Sequence, residues 1–221
     1  NYNSSIQSKS FSILAKKMKK YSKQCWKMQE LEARGLLQLG SATTCLEIGS
    51  GSGGGGVGVG GIAEYLLLEA GSEPASEPAS EPASEATSGE RRRVTLIDPG
   101  RLRSTLTKIM EVERELTGCF EHRQGRWEDV QLEEGQMFDL CVCDSPCEID
   151  DGVRMVKTIT KRFRESGIVV LTFKWNDKYG GKKYLKEMVM QELIECGFVS
   201  VEEYFLFANQ KHERTIVARV Q

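Results

Sequence analysis

Apolar and polar positions recur along this chain with two periods, and the switches between them mark out its elements. Residues 12–37 carry helical spacing that stops at Gly40. Residues 43–48 (TTCLEI) form a short β-rich run that ends in GSGSGGGG, and helical spacing resumes over 62–69. RVTLID (93–98) predicts a strand ending in an acid, with an amphipathic helix over 102–116 after it, and CFEHRQ (119–124) predicts a short strand. FDLCVCD (138–144) has the continuous apolar character of a strand covered on both faces and again ends in an acid. A helix over 151–164, the strand GIVVLTFK (167–174) and a helix over 182–196 follow. The chain closes on FVSVEEYFLF and ERTIVARV with no helix-length segment between them.

Strands alternating with helices predict a parallel sheet with right-handed crossovers, and a final strand pair joined by a short loop adds one antiparallel strand. The expectation is an α/β, Rossmann-like sheet of seven strands, mostly parallel. Ligands of open α/β sheets sit at the carboxyl ends of the strands, and Asp98, Asp144 and Lys174 all fall at such ends.

A length of 221 residues, 39% of them hydrophobic, suits one domain over 1–221. Residues 72–83 read SEPA three times and run into SEATSGE, a composition that cannot bury apolar surface, so 71–90 is expected to be a disordered insertion. The glycine-heavy stretch 53–61 just before it is costly inside a helix. The chain opens Asn-Tyr-Asn, with neither Met nor a signal-peptide core, which suggests a segment of a longer polypeptide. No apolar run approaches the roughly 20 residues a membrane span needs, so no membrane association is expected. Seven cysteines (25, 45, 119, 141, 143, 147 and 196) are scattered as small hydrophobes, which fits a reducing, cytoplasmic or nuclear compartment. Cys141 and Cys143 alternate on an apolar strand with no His nearby, so they read as core and no metal site is expected.

The net charge of −2 hides an uneven distribution, because without the five Glu of 71–90 the chain holds 30 basic against 27 acidic residues. Lysines 16, 17, 19, 20, 23 and 27 surround Tyr21 and Trp26 with no acid among them, a stretch able to neutralise phosphates and stack bases or, alternatively, a solvated helix face.

Candidate chemistry gathers at the strand ends. LEIGSGSGG places Gly49, Ser50, Gly51 and Gly53 in a strand-to-helix turn, where glycine admits positive φ and close approach of a ligand; such a loop serves NAD, FAD or S-adenosylmethionine alike. Asp98 is placed to accept hydrogen bonds from the ribose of an adenosine cofactor, or simply to open the turn Asp-Pro-Gly. Lys174, at the end of VVLTFK, is an unusual residue for a buried sheet terminus. A ribose hydroxyl is a poor nucleophile at neutral pH and gains from a lysine base of lowered pKa; desolvation and a second cation lower it, a carboxylate close by raises it, and the geometry sets the balance. Lys27 is a candidate for that cation, and Asp144 and Glu213 are candidates to orient the groups.

In order, Cys25-Trp26-Lys27, CLEIGSGSGG, VCDSP, VLTFK and HERTIVARV resemble the Lys-Asp-Lys-Glu pattern of the FtsJ-type RNA ribose 2′-O-methyltransferases, over nearly the whole chain apart from 71–90. The resemblance implies a Rossmann-like methyltransferase fold and S-adenosyl-L-methionine as cofactor. It implies Lys174 as general base with Lys27, Asp144 and Glu213 completing the site, and Gly49, Ser50, Gly51, Gly53 and Asp98 at the cofactor. The implied partner is RNA, either capped mRNA or a structured RNA, with the cap slightly favoured over ribosomal or transfer RNA. Two departures stand out. Gly55 occupies a position often aromatic in the family, and Arg126 stands where an adenine-contacting acid is expected, leaving Glu128 or, preferred, Asp129 for that role. The competing readings are a methyltransferase acting on a small molecule or protein, a non-catalytic RNA-binding module, and an NAD-dependent dehydrogenase; the last gives no role to Lys27 and Glu213 together.

Overall fold

Predominantly apolar runs go to the middle of the sheet, and the helices between them cover its two faces. The computed structural model describes residues 23–39, 42–49, 59–68, 92–112, 119–144, 149–174, 182–209 and 212–220. Within these the order is α1 (Lys23–Ala33), β1 (Thr44–Ile48), α2 (Gly61–Leu68), β2 (Arg93–Ile97), α3 (Ser104–Val112), β3 (Phe120–Arg123), β4 (Phe138–Cys143), α4 (Ile149–Ile159), β5 (Phe163–Lys174), α5 (Lys182–Glu195), β6 (Phe198–Tyr204) and β7 (Glu213–Val220). The first part of the helix predicted over 12–37, its expected stop at Gly40, most of the glycine stretch and the 71–90 insertion lie outside the described residues.

Among the described residues the sheet has seven strands in the order β3-β2-β1-β4-β5-β7-β6. β1 to β5 pair in parallel, and β7 runs antiparallel to both of its neighbours, β5 and β6. Alternation along the strands divides the core in two. Leu46, Ile48, Cys141, Cys143, Val169 and Leu171 meet Met155, Val156 and Ile159 of α4 and Val189 and Leu193 of α5 on one face. Cys45, Val94, Leu140, Val142, Val170 and Val217 meet Cys25, Met28 and Leu31 of α1, Ile62 and Leu66 of α2 and Leu106 of α3 on the other. The cysteines of β4 are therefore core residues, and burial also pushes the Cys45 thiol up to about 12.

The structure departs from the sequence expectation at three boundaries. α1 ends at Ala33, because Gly35 adopts φ 71° and closes the helix with Leu36 N–H to Leu31 O at 2.9 Å and Gly35 N–H to Glu32 O at 2.8 Å. The helix predicted over 151–164 gives way at Thr160–Arg162 to a 3-10 turn, and β5 begins at Phe163. Polar Arg164, Glu165 and Ser166 mask the strand in the sequence. They form an exposed irregularity in which Ser166 takes φ 64° and the pairing with β4 jumps from Phe138↔Phe163 to Leu140↔Ile168. Arg164 Nη1 closes this irregularity on Asp139 Oδ1 at 2.8 Å. At the other end, FVSVEEYFLF leaves the sheet after Tyr204: Leu206 turns into the core and the Phe207 N–H goes to Glu30 of α1 instead of a strand.

Candidate active site

The strands β1, β2, β4 and β5 all deliver their carboxyl ends to one edge of the sheet, at Gly49, Asp98, Asp144 and Lys174. Because β7 is antiparallel, its first residue, Glu213, arrives at this same edge. The β5–β7 register sets Lys174 directly across from Glu213, a separation of about 4.5–5.5 Å between Cα atoms in antiparallel pairs. The Lys174 ammonium lies outside the described side chains.

Three of the four candidate catalytic residues meet in an ion cluster. Lys27 Nζ lies 2.6 Å from Asp144 Oδ1 and 3.4 Å from Glu213 Oε2. Exposure of the Lys27, Asp144 and Glu213 side chains is only 7, 8 and 6%, so these charges are held out of water, with Lys27 bridging the two carboxylates. The neighbours of Lys27 fix its helix: Cys25 Sγ donates to the Gly61 carbonyl of α2 at 2.6 Å, and Met28 and Leu31 are fully buried. One turn along, Glu30 accepts the Phe207 N–H at 2.8 Å and pairs with Arg34. Burial raises the Glu30 pKa above its ordinary value, opposed in part by the Phe207 N–H and by Arg34.

Of the cofactor-loop residues, Gly49 is described, and Ser50, Gly51 and Gly53 lie outside the described residues. Gly49 adopts φ 63°, the left-handed conformation a strand-to-helix turn needs here, and its N–H donates to Ile97 O at 2.9 Å. Asp98 is 94% buried by its neighbours (6% exposed), and its Oδ1 accepts the Gly100 N–H at 2.6 Å. The turn reading of Asp98 is thus present, at the strand end where a cofactor ribose would also lie. Asp129 sits apart, exposed in a turn closed by its own N–H to Arg126 O at 3.0 Å.

Some residues that shape the site escaped the sequence reading. Glu47, in the middle of buried β1, accepts the Ala63 N–H of α2 on Oε2 at 2.7 Å and so ties together the two flanks of the glycine-rich segment. The backbone reinforces this tie through Val59, whose N–H reaches Arg101 O at 2.8 Å and whose carbonyl accepts from Arg103 at 2.9 Å. Arg103 and Glu64, both buried, pair at 3.2 Å between α3's approach and α2. An acid inside an otherwise apolar strand, as in TCLEI, is the one signal that pointed to Glu47.

A cleft of about 650 Å³ opens at the opposite ends of the strands, among Thr44, Arg93, Phe120, Glu121 and Arg164. Among the described residues no group of three His, Cys, Asp or Glu is placed to hold a metal ion, and no helix is long and apolar enough to cross a membrane.

No family model and no curated protein matches the chain. Solved structures do. Fibrillarin, a pre-rRNA processing protein of Methanococcus jannaschii, aligns over 83% of this chain and 69% of its own with 12% identity and a TM-score of 0.54. An O-methyltransferase family protein of Burkholderia thailandensis aligns over 88% and 56% with 11% identity and a TM-score of 0.54. A Lactococcus lactis protein named as a hemolysin aligns over 91% and 89% with 15% identity and a TM-score of 0.57. The chain has the Rossmann-like methyltransferase fold. At such identities the likeness is one of architecture, and the differing names of these proteins underline that chemistry must be argued from the site.

Proposed function

We propose that this chain transfers a methyl group from S-adenosyl-L-methionine to a ribose 2′-hydroxyl of RNA, with Lys174 as general base. The observation that carries the reading is the buried Lys27–Asp144–Glu213 cluster with Lys174 registered opposite Glu213. A structural ion pair seldom needs four charged positions from four elements converging at the ligand edge of a sheet.

The residues present fit the cofactor: Gly49 at positive φ leaves the backbone open to close approach, and Asp98 ends the neighbouring strand. Gly49, Ser50, Gly51, Gly53 and Asp98 would hold it, with Asp129 as the candidate near its adenine. When bound, the cofactor supplies an electrophilic methyl on a sulfonium. Lys174 Nζ then takes the proton of the 2′-hydroxyl as the oxygen attacks. Lys27 adds positive charge beside the developing alkoxide, while Asp144 and Glu213 hold the Lys27 ammonium in place. Capped mRNA is the first substrate to test, ahead of ribosomal or transfer RNA.

The deciding assay measures transfer of labelled methyl into capped and uncapped RNA. Lys174→Ala should lose about 100- to 10,000-fold in turnover and retain cofactor affinity. Asp98→Ala should show the reverse, weakened cofactor binding with transfer partly restored at high cofactor concentration. Near-normal turnover of Lys174→Ala on RNA would refute the base assignment, and labelling of a small molecule or protein in place of RNA would replace the substrate.

A further inference from the structure

The end of β2 is held by the end of β3. The Asp98 N–H donates to the Arg123 carbonyl at 3.4 Å, continuing the parallel register that sets Arg123 beside Ile97, and the Asp98 carbonyl accepts the Gly125 N–H at 3.3 Å. Both contacts are main-chain and could form with almost any side chains. A third is written into a side chain: His122 Nε2 lies 3.1 Å from the same Asp98 carbonyl. A carbonyl oxygen only accepts, so Nε2 carries a hydrogen and donates it. His122 is partly buried, and its partner across the β2–β3 pairing is the fully buried Leu96.

What this bond steadies is the turn that carries the Asp98 carboxylate. Asp98 is followed by Pro99, whose nitrogen has no hydrogen to donate, and by Gly100, whose N–H goes to Asp98 Oδ1 at 2.6 Å. A Cβ at Gly100 would stand 2.9 Å from that oxygen and 2.6 Å from Val59 Cγ1, so the carboxylate is packed closely into its turn. The Asp98 carbonyl and the Pro99 nitrogen share one rigid peptide plane. A donor that fixes the carbonyl therefore fixes the direction in which Pro99 and Gly100 leave, and with it the N–H that orients the carboxylate. Gln124 adds to the clamp from the exposed side, its Nε2 donating to the Pro99 carbonyl at 3.2 Å.

We propose that His122 is a positioning residue for the cofactor: through the Asp98 carbonyl it holds the Asp98 carboxylate in the orientation that accepts the ribose hydroxyls of S-adenosyl-L-methionine. The assignment rests on the reading of this edge as the cofactor site, and it is independent of which substrate receives the methyl group. A carboxylate that meets two neighbouring hydroxyls has to be held to within about 0.5 Å and 10–20° of its working geometry, a precision that supporting hydrogen bonds supply. His122 touches neither cofactor nor substrate in this role and acts through Asp98.

The test is titration calorimetry of the 221-residue chain with S-adenosylhomocysteine and with its 2′,3′-dideoxy analogue. Two variants differ by one methylene: His122→Gln carries an amide donor at the reach of Nε2, and His122→Asn carries the same group too short to meet the carbonyl. His122→Asn should bind S-adenosylhomocysteine about 2- to 12-fold more weakly, the span of one net hydrogen bond, and bind the dideoxy analogue as the wild type does. His122→Gln should bind both ligands as the wild type does. In turnover, His122→Asn should raise the KM for cofactor by the same factor with kcat and the KM for RNA little changed. If His122→Asn does not fold, His122→Phe, which keeps the ring volume and lacks the donor, takes its place with the same expectations. Wild-type affinity for S-adenosylhomocysteine in the donorless variant overturns the assignment, as do equal losses for the two ligands, which a purely structural role would produce. A wild type that binds both ligands equally well overturns the roles of Asp98 and His122 together. The readings separate: transfer to RNA with an unaltered cofactor KM in His122→Asn sinks the His122 assignment alone. The expected ligand pattern without transfer to RNA leaves His122 standing and sinks the RNA methylation reading.

Discussion

Removing the Lys27 charge while keeping its bulk, as in Lys27→Met, isolates the energetics of the cluster. At an effective dielectric constant of about 20, charges 2.6 and 3.4 Å apart attract by roughly 6 and 5 kcal/mol. Desolvating three ions costs several kcal/mol each, so the intact cluster contributes little net stability. The variant is a different matter, because Asp144 and Glu213 keep their desolvation cost and lose a cation that helped to offset it. The expected loss is about 3–5 kcal/mol at neutral pH. Urea unfolding followed by far-UV circular dichroism measures it, with the midpoint shifting and the slope unchanged if the variant folds alike. The double variant Lys27→Met with Asp144→Asn supplies the internal check: the second substitution removes a charge that has already lost its Lys27 partner, so the loss in the double variant should fall short of the sum of the two single losses by about 0.5–3 kcal/mol. A Lys27→Met protein within 1 kcal/mol of the wild type, with additive losses, would show that the three side chains do not form a desolvated unit, and the electrostatic role given to Lys27 would fail with it.

Two further outcomes are expected. Asp139 accepts the Thr43 and Thr44 N–H groups at 2.9 and 2.7 Å, the Thr43 hydroxyl at 2.9 Å and Arg164 at 2.8 Å. Burial alone would raise its pKa, but these donors outweigh burial and hold it below the ordinary 3.8, so its stabilisation is present above that value and lost as pH falls through the lower native one. Asp139→Asn should therefore cost about 1–3 kcal/mol at pH 7, and the gap in urea midpoints should close in strong acid; a gap that persists there would contradict the assignment. Replacing residues 71–90 with a short Gly/Ser linker should leave both thermal midpoint and turnover unchanged, and a large loss in either would show that the insertion packs or binds.

How much of the site could be read from the sequence depended on where each polar residue stands relative to an apolar run. Asp98, Asp144 and Lys174 are legible because each ends a continuous strand signal, and strand ends are where ligands of such sheets bind. Lys27 is not legible in that way: in the sequence it follows five other lysines, and only the order Cys-Trp-Lys with the later motifs singled it out. Glu213 begins a strand, a position that reaches the ligand edge solely because β7 runs backwards. The extended start of β5 was hidden by Arg164 and Glu165, whose charges read as a helix end but are tolerated at an exposed irregularity. Phe205 and Phe207 were absorbed into a strand pattern, since alternation in YFLF does not reveal whether a neighbouring strand is there to pair with it.

The residues that sequence could not pair are those whose partners lie far along the chain, and Glu47 shows why they matter. A carboxylate in a buried strand is costly unless donors meet it. Its bond to the Ala63 N–H links β1 to the start of α2 across the glycine-rich segment between them. The same span is closed from the β2 side by Gly49 to Ile97 and by Val59 with Arg101 and Arg103. A glycine-rich turn has high conformational entropy, and anchoring both of its flanks reduces what must be ordered when a ligand binds. The glycines proposed to hold the cofactor are displayed openly by the sequence, whereas the contacts that anchor the two flanks of that segment are long-range and appear only once the strands have been assembled.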